Sequence, residues 1–164
     1  MKELHIKQKV FSLGEKFTVK DENGQDLYFV EGSFLKIPKT FTITDSTGKE
    51  VAHITKKMFS FLPTFYVEVN GQEELTIKKL FSFFKPRYTV DSAGVEVHGN
   101  WWEMEFQVMQ HGHVVGEVSK EWFTWGDSYK VKIYNEEMEH LMIAFVVAID
   151  CVKADEAAAS SMHD

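Results

Sequence analysis

The stretch Phe41-Thr42-Ile43-Thr44-Asp45-Ser46-Thr47-Gly48-Lys49-Glu50-Val51-Ala52-His53-Ile54 decides the fold. Phe41 and Ile43 alternate with threonines, which places both on one face of an extended strand. Asp45-Ser46-Thr47-Gly48 then supplies side chains that hydrogen-bond the backbone, followed by a residue free to take positive φ, as a tight turn requires. Alternation resumes over residues 51–54, so the whole stretch reads as a β-hairpin.

The same module recurs on both sides of it. Phe17, Phe65, Tyr88, Phe106 and Tyr129 open similar runs, and successive openers lie 18 to 24 residues apart. The turn is Asp21-Glu22-Asn23-Gly24 in the first unit and the strong two-residue signal Asn70-Gly71 in the third. A fixed period of this size means one supersecondary unit used repeatedly. Linkers echo one another too, as Lys9-Val10-Phe11-Ser12-Leu13, Lys57-Met58-Phe59-Ser60-Phe61 and Lys79-Leu80-Phe81-Ser82-Phe83. Five hairpins, a sixth unit with one clear strand over residues 129–134, and the N-terminal Lys-x-Phe-Ser segment make about twelve strands. That is more than a flat sheet tolerates without curling, so a mainly β, closed antiparallel barrel is expected.

From Asn135 the pattern changes. Asn135 suits a helix N-cap, and Glu136, Glu137 and Glu139 suit the first turn, where carboxylates complement the helix dipole. Residues 141–149 are apolar without interruption, which predicts a helix hydrophobic on every face, or a buried strand as the rival reading. The run is shorter than the roughly twenty residues a bilayer needs. A twelve-stranded barrel has a lumen too wide for strand side chains alone, and such a helix would fill it. One domain is therefore expected over residues 1–152, its central helix spanning about 135–152, followed by a frayed, disordered tail at 153–164.

The 164 residues are 44% apolar and 26% charged, as in ordinary globular proteins. A single cysteine, Cys151, excludes an internal disulfide and a multi-cysteine zinc site. No charged-then-apolar leader opens the chain, so the expected location is cytoplasmic, with peripheral membrane contact as an extension of that reading. The net charge of −7 is uneven. Residues 36–87 hold nine Lys/Arg against five Asp/Glu, a net +4, while the remainder holds nine against twenty, a net −11. Nucleic acid is not an expected partner, although a local basic face is compatible with the pattern.

The motif order resembles the LURP-one-related family of the Tubby C-terminal-like superfamily, small bacterial members included. The resemblance rests on Lys7-Gln8-Lys9-Val10-Phe11-Ser12-Leu13, the repeated Phe-x-Ile/Val-x-Asp-x-x-Gly turns, and Gly99-Asn100. Ser119-Lys120-Glu121-Trp122-Phe123, Asp127-Ser128-Tyr129 and the apolar run ending Ala148-Ile149-Asp150 complete it. It covers about residues 4–152 and implies a twelve-stranded barrel threaded by a hydrophobic C-terminal helix. Tubby proteins bind phosphoinositides through basic residues on the barrel, and phospholipid scramblases share the fold. This chain lacks the scramblases' cysteine-rich stretch and proline-rich leader, so scrambling is not implied. Tubby's lipid-binding lysine has no matched position here.

The candidate site is basic. Lys56-Lys57 and Lys78-Lys79, followed by Lys85 and Arg87, recur at equivalent points of successive hairpins, and Lys36 and Lys39 flank Pro38 in the preceding linker. Equivalent points of neighbouring hairpins lie on one barrel rim, which predicts a patch for anionic lipid or another anionic partner, such as a protein. Phe59, Phe61, Phe81, Phe83 and Phe84 are the apolar residues that could enter a membrane interface beside it. The bland reading of the same residues is a solvated rim whose lysines blunt strand pairing.

His111 and His113 fall at a hairpin turn with no cysteine or carboxylate nearby, so no metal is expected. His140 and Asp150 sit almost three helical turns, about 15 Å, apart, too far for a catalytic pair; Asp150 is expected to reach solvent or meet a cation at the barrel mouth. Cys151 has no activating histidine at helical spacing and reads as a small buried residue. Trp101, Trp102, Trp122 and Trp125 read as barrel core or wall, with a ligand surface as the rival. No phosphate-binding Gly loop, nucleophile elbow or zinc-protease motif occurs, and no cofactor is expected. Two functions stay open: a non-enzymatic binding or scaffold domain with a basic rim, and a small-ligand or enzymatic protein whose barrel-mouth pocket is lined by His53, His98 or Asp150. A dry, filled lumen with a contiguous rim favours the first.

Overall fold

The structure, a computed structural model, describes residues 1–7, 16–33, 39–57, 62–80, 87–92, 94–121 and 128–161. Twelve strands appear in chain order. They are β1 (Lys2–Lys7), β2 (Lys16–Lys20), β3 (Asp26–Ser33), β4 (Thr40–Asp45), β5 (Glu50–Lys56) and β6 (Thr64–Val69). Then come β7 (Gln72–Leu80), β8 (Arg87–Ser92), β9 (Glu96–Asn100), β10 (Glu105–Gln110), β11 (His113–Lys120) and β12 (Ser128–Ile133). A 3-10 turn, Glu136–Met138, leads into α1, Glu139–Ser161.

All strands join one antiparallel sheet in the order β8-β7-β6-β5-β4-β3-β2-β1-β12-β11-β10-β9. The sheet wraps round on itself into a nearly closed barrel, because β8 and β9 are consecutive in the chain yet stand at its two edges. They are linked by a turn at Gly94 and do not share a ladder. Tyr88 of β8 bridges the seam by stacking on Trp102, just after β9, at 5.0 Å between ring centroids.

The sequence repeat has a structural counterpart. The hairpins β2–β3, β4–β5, β6–β7 and β10–β11 each shift register near the turn, at Val19/Lys20, Ile43/Thr44, Val67/Glu68 and Val108/Met109. One extra residue at the same point of each hairpin sharpens the local twist and curls the sheet. In β4–β5 this puts Val51 as well as Ala52 indoors. The turns are held as their residues predict: Asp45 Oδ1 accepts from Thr47 N at 2.9 Å and Lys49 N at 3.0 Å, and Asp21 Oδ1 from Asn23 N at 2.8 Å and Gln25 N at 2.9 Å.

The lumen is the core. Leu4 and Ile6 of β1, Phe65, Val67 and Val69 of β6, and Tyr129, Val131 and Ile133 of β12 point inward. They meet α1, in which every residue from Met142 to Val152 is buried. Burying a large apolar side chain is worth about 1.5–3 kcal/mol, so this segment is stable only with a wall around it. Gly116 of β11 leaves no room for a side chain against the helix: an added Cβ would lie 2.5 Å from Met142 Cε.

The structure bears on two sequence-based expectations. The twelfth strand is β1, paired with both β12 and β2; the Lys9–Ser12 segment expected in that place lies outside the described residues. The helix does not end at 152. It runs on through Ser161, because Glu156 is held at the far mouth by Lys79 and Tyr88.

A basic rim and the clamps on the central helix

The barrel has two unlike ends. At one, tight turns join the hairpins, with positive φ at Gly24, Gly48, Asn70, Gly71, Gly94, His111 and Gly112. At the other, longer linkers join β1 to β2, β3 to β4, β5 to β6, β7 to β8 and β11 to β12.

The described candidate cations gather at the linker end. Lys56 N donates to Lys39 O at 3.1 Å, Lys57 N to Thr64 O at 2.7 Å, and Lys79 N to Pro63 O at 2.9 Å. Lys78 pairs with Thr64, and Arg87 pairs with Leu80. These bonds set Lys39, Lys56, Lys57, Lys78, Lys79 and Arg87 along the rim from β4 to β8, an arc of about 19 Å for four interstrand steps of about 4.8 Å. By strand alternation, Lys39, Lys56 and Lys79 share the inward side with Phe41, Ile54 and Ile77, whereas Lys57 and Lys78 are exposed on the outer side. Leu80 lies among them with 39% of its surface exposed. Lys36, Lys85 and the linker residues Phe59, Phe61, Phe81, Phe83 and Phe84 lie outside the described residues, as do Trp122 and Trp125.

The turn end gathers carboxylates, with Lys2, Lys20 and Lys49 among them. Asp21, Glu22, Asp26, Asp45, Glu50, Glu136 and Glu137 all stand at or beside the turns or the helix start.

Three tyrosines hold three carboxylates of α1, a pattern that sequence reasoning missed. At the turn end the Tyr28 hydroxyl donates to Glu139, which also meets Lys2 Nζ at 2.8 Å. Burial, then the bond to the Glu139 carboxylate, push the Tyr28 hydroxyl well above its usual range. Inside the barrel the Tyr129 hydroxyl donates to Asp150 Oδ1 at 3.0 Å. At the linker end Glu156 Oε2 accepts from Lys79 Nζ at 2.8 Å and from the Tyr88 hydroxyl at 2.5 Å. Burial alone would raise the Glu156 carboxyl, but the Lys79 and Tyr88 hydrogen bonds outweigh it and hold the group below its ordinary value. Glu139 and Glu156 are seventeen residues apart, about 25 Å of helix, so a Lys–Tyr–carboxylate clamp grips each end. The partners lie in β1, β3, β7 and β8, far from the helix in sequence, and no local motif announces them.

Other candidates are dispersed. Asp150 is only 3% exposed, so of the two alternatives expected for it, solvent or a cation, solvent does not hold; its Oδ1 accepts from Tyr129. His53 lies on the outer wall, where its Nδ1 is 3.2 Å from Thr42 Oγ1 and 3.1 Å from Glu50 Oε1. His98 is on β9, 2.9 Å from Glu96, beside an outer-wall cavity of about 450 Å³ that Gln107, Glu117 and Lys132 also line. The three do not converge. His140 Nδ1 is 3.0 Å from Asn70 Oδ1 and borders a polar recess of about 490 Å³ with Lys2, Glu136, Glu137 and Glu139. Among the described residues no group of three or more His, Cys, Asp or Glu could hold a metal ion. His111 and His113 are exposed at the β10–β11 turn, and Cys151 is buried. Trp101 and Trp102 are half-buried at the linker end, neither deep core nor open surface, with Lys153 Nζ 5.9 Å from the Trp102 ring centroid. No helix among the described residues is long and apolar enough to cross a membrane.

Comparison with known proteins agrees with this architecture. A solved X-ray structure of a protein from Arabidopsis thaliana, AT5G01750, superposes with a TM-score of 0.60 at 16% identity, covering 92% of this chain and 90% of that one. The protein named "Uncharacterized protein YxjI" of Bacillus subtilis (strain 168) is 34% identical over 152 residues, 93% of this chain and 94% of its own length. The LURP-one-related family profile matches residues 2–150, all twelve strands and about half of the helix. On that match, and on the helix-filled barrel that accounts for it, the chain belongs to the LURP-one-related family.

Proposed function

We propose that this protein is a non-enzymatic binding domain whose linker-end rim docks on an anionic phospholipid surface. The observation that carries the reading is the row of Lys39, Lys56, Lys57, Lys78, Lys79 and Arg87 at the same end of β4, β5, β7 and β8. The carboxylates gathered around the hairpin turns support it, since an anionic surface is repelled by them and attracted by the row of cations. Exposed Leu80 beside these cations favours a surface with an apolar interior over a small soluble anion. The packed helix in the lumen argues against the rival reading of a ligand pocket inside the barrel.

Each cation near such a membrane contributes about 1 kcal/mol, decaying over a Debye length of about 8–10 Å. Lys57 and Lys78 are the clean test, because both are exposed, whereas Lys79 also anchors the helix. Sedimentation with phosphatidylcholine vesicles, with and without phosphatidylserine, reads the result. Wild type should bind only the anionic vesicles and release at high salt. Lys57→Glu with Lys78→Glu changes the local charge by four units and should weaken binding by about 4 kcal/mol, roughly a thousandfold, at unchanged thermal stability. Failure of the wild type to bind anionic vesicles at low salt refutes the proposal.

A further inference from the structure

We propose that Glu156 is an intramolecular counter-anion for the basic rim, so that the last turns of α1 compete with the anionic surface for Lys79. The inference rests on the rim reading above and adds a regulatory contact to the same site. Its basis is geometric. Lys79 is the rim cation on the inward side of β7, and its Nζ lies 2.8 Å from Glu156 Oε2. The same oxygen accepts the Tyr88 hydroxyl at 2.5 Å. One ammonium and one hydroxyl converging on a single carboxylate oxygen are the donors that a phosphate oxygen would use equally well.

The site is also placed to be released. Glu156 lies four residues beyond Val152, the last of the continuous buried run, and so past the segment that the wall holds by packing. Both side chains keep some access to solvent, 24% for Lys79 and 16% for Glu156. Tyr88, whose ring is 5.9 Å from Lys79 Nζ, stacks on Trp102 and stays in place whether or not the carboxylate leaves. Lysine and hydroxyl would then stand at the linker-end mouth as a ready pair of donors. A purely structural clamp needs no such placement on the rim; its twin at Glu139 sits among carboxylates at the other mouth, where an anionic surface is repelled.

The experiment compares wild type, Glu156→Gln, Glu156→Asp, and Glu156→Gln combined with Lys79→Gln, in vesicle sedimentation with phosphatidylserine-containing and pure phosphatidylcholine vesicles. Glu156→Gln frees one cation and should tighten binding to anionic vesicles about fivefold, with a steeper loss on adding salt. Glu156→Asp, whose shorter side chain retreats from both donors, should give a smaller gain and guards against a folding defect in the first variant. Lys79→Gln should return the double variant to wild-type affinity. Glu156→Gln binding at wild-type strength, while Lys57→Glu with Lys78→Glu still weakens binding, overturns the counter-anion and leaves the rim intact. An equal gain on pure phosphatidylcholine overturns it too, because freed apolar surface would then be the cause. Binding by no variant removes rim and counter-anion together.

Discussion

Removing one oxygen atom from each of three tyrosines tests how α1 is held in its barrel. Tyr129 is 1% exposed and donates to Asp150, itself 3% exposed; Tyr134 is 45% exposed and donates to Glu117 at 2.9 Å. The two hydrogen bonds are alike in chemistry and differ in burial. A bond to a charged acceptor is worth about 1.5–3 kcal/mol, and losing it in the core also leaves the carboxylate oxygen short of a donor. Water replaces the donor at Glu117, and such surface changes stay within about 0.5 kcal/mol. For a chain of this size 1 kcal/mol moves Tm by about 2–4 °C. Tyr129→Phe should therefore lower Tm by about 3–12 °C, while Tyr134→Phe should move it by about 2 °C at most. Tyr28→Phe should fall between them, since Glu139 keeps Lys2 at 2.8 Å. Scanning calorimetry with a urea midpoint at unchanged m-value separates stability from a change in compactness. If Tyr129→Phe melts no lower than Tyr134→Phe, the tyrosine–carboxylate pairs do not anchor the helix.

Other expected outcomes follow from the same packing. Phe145→Ala, which removes a 2%-exposed ring lying 5.2 Å from that of Phe106, should cost about 3–5 kcal/mol through the cavity left behind, read by urea unfolding. Gly116→Val should cost about 1–3 kcal/mol by driving a branched side chain into Met142, and Met142→Ala in the same chain should recover part of it. A truncation at Asn135 should leave an insoluble or unfolded product, because the inward faces of twelve strands lose their partner; a soluble fragment with cooperative melting contradicts the central-helix account. Glu156 has a folded-state pKa below its ordinary value of 4.5, so its stabilising contribution is complete above that pH and lost as pH falls through the folded value. Melts taken down that acid limb should fall less steeply for Glu156→Gln than for wild type.

The repeating part of this architecture was legible in the chain because it is local. Hairpin strands, their turns and their register depend on residues a few positions apart, as Asp45 shows by capping the turn its own segment makes. Composition also required a wall around the apolar run from Leu141, since a helix hydrophobic on every side cannot stand in water. The spacing of Lys56-Lys57 and Lys78-Lys79 even placed those cations on a common rim, because a hairpin repeat maps equivalent positions to the same end.

What only the tertiary structure decided is everything that depends on partners far apart in the chain. Asp150 looked like a mouth residue until Tyr129 met it in the core, and the helix was expected to end near 152 until Lys79 and Tyr88 caught Glu156, 77 and 68 residues away. The seam between β8 and β9 and the close pass of Gly116 over Met142 belong to the same class. Local propensity and periodicity tell which face of a strand is apolar. They carry no information on which carboxylate of an enclosed helix will lie opposite which tyrosine, because that depends on how the sheet curls and at what depth the helix sits within it.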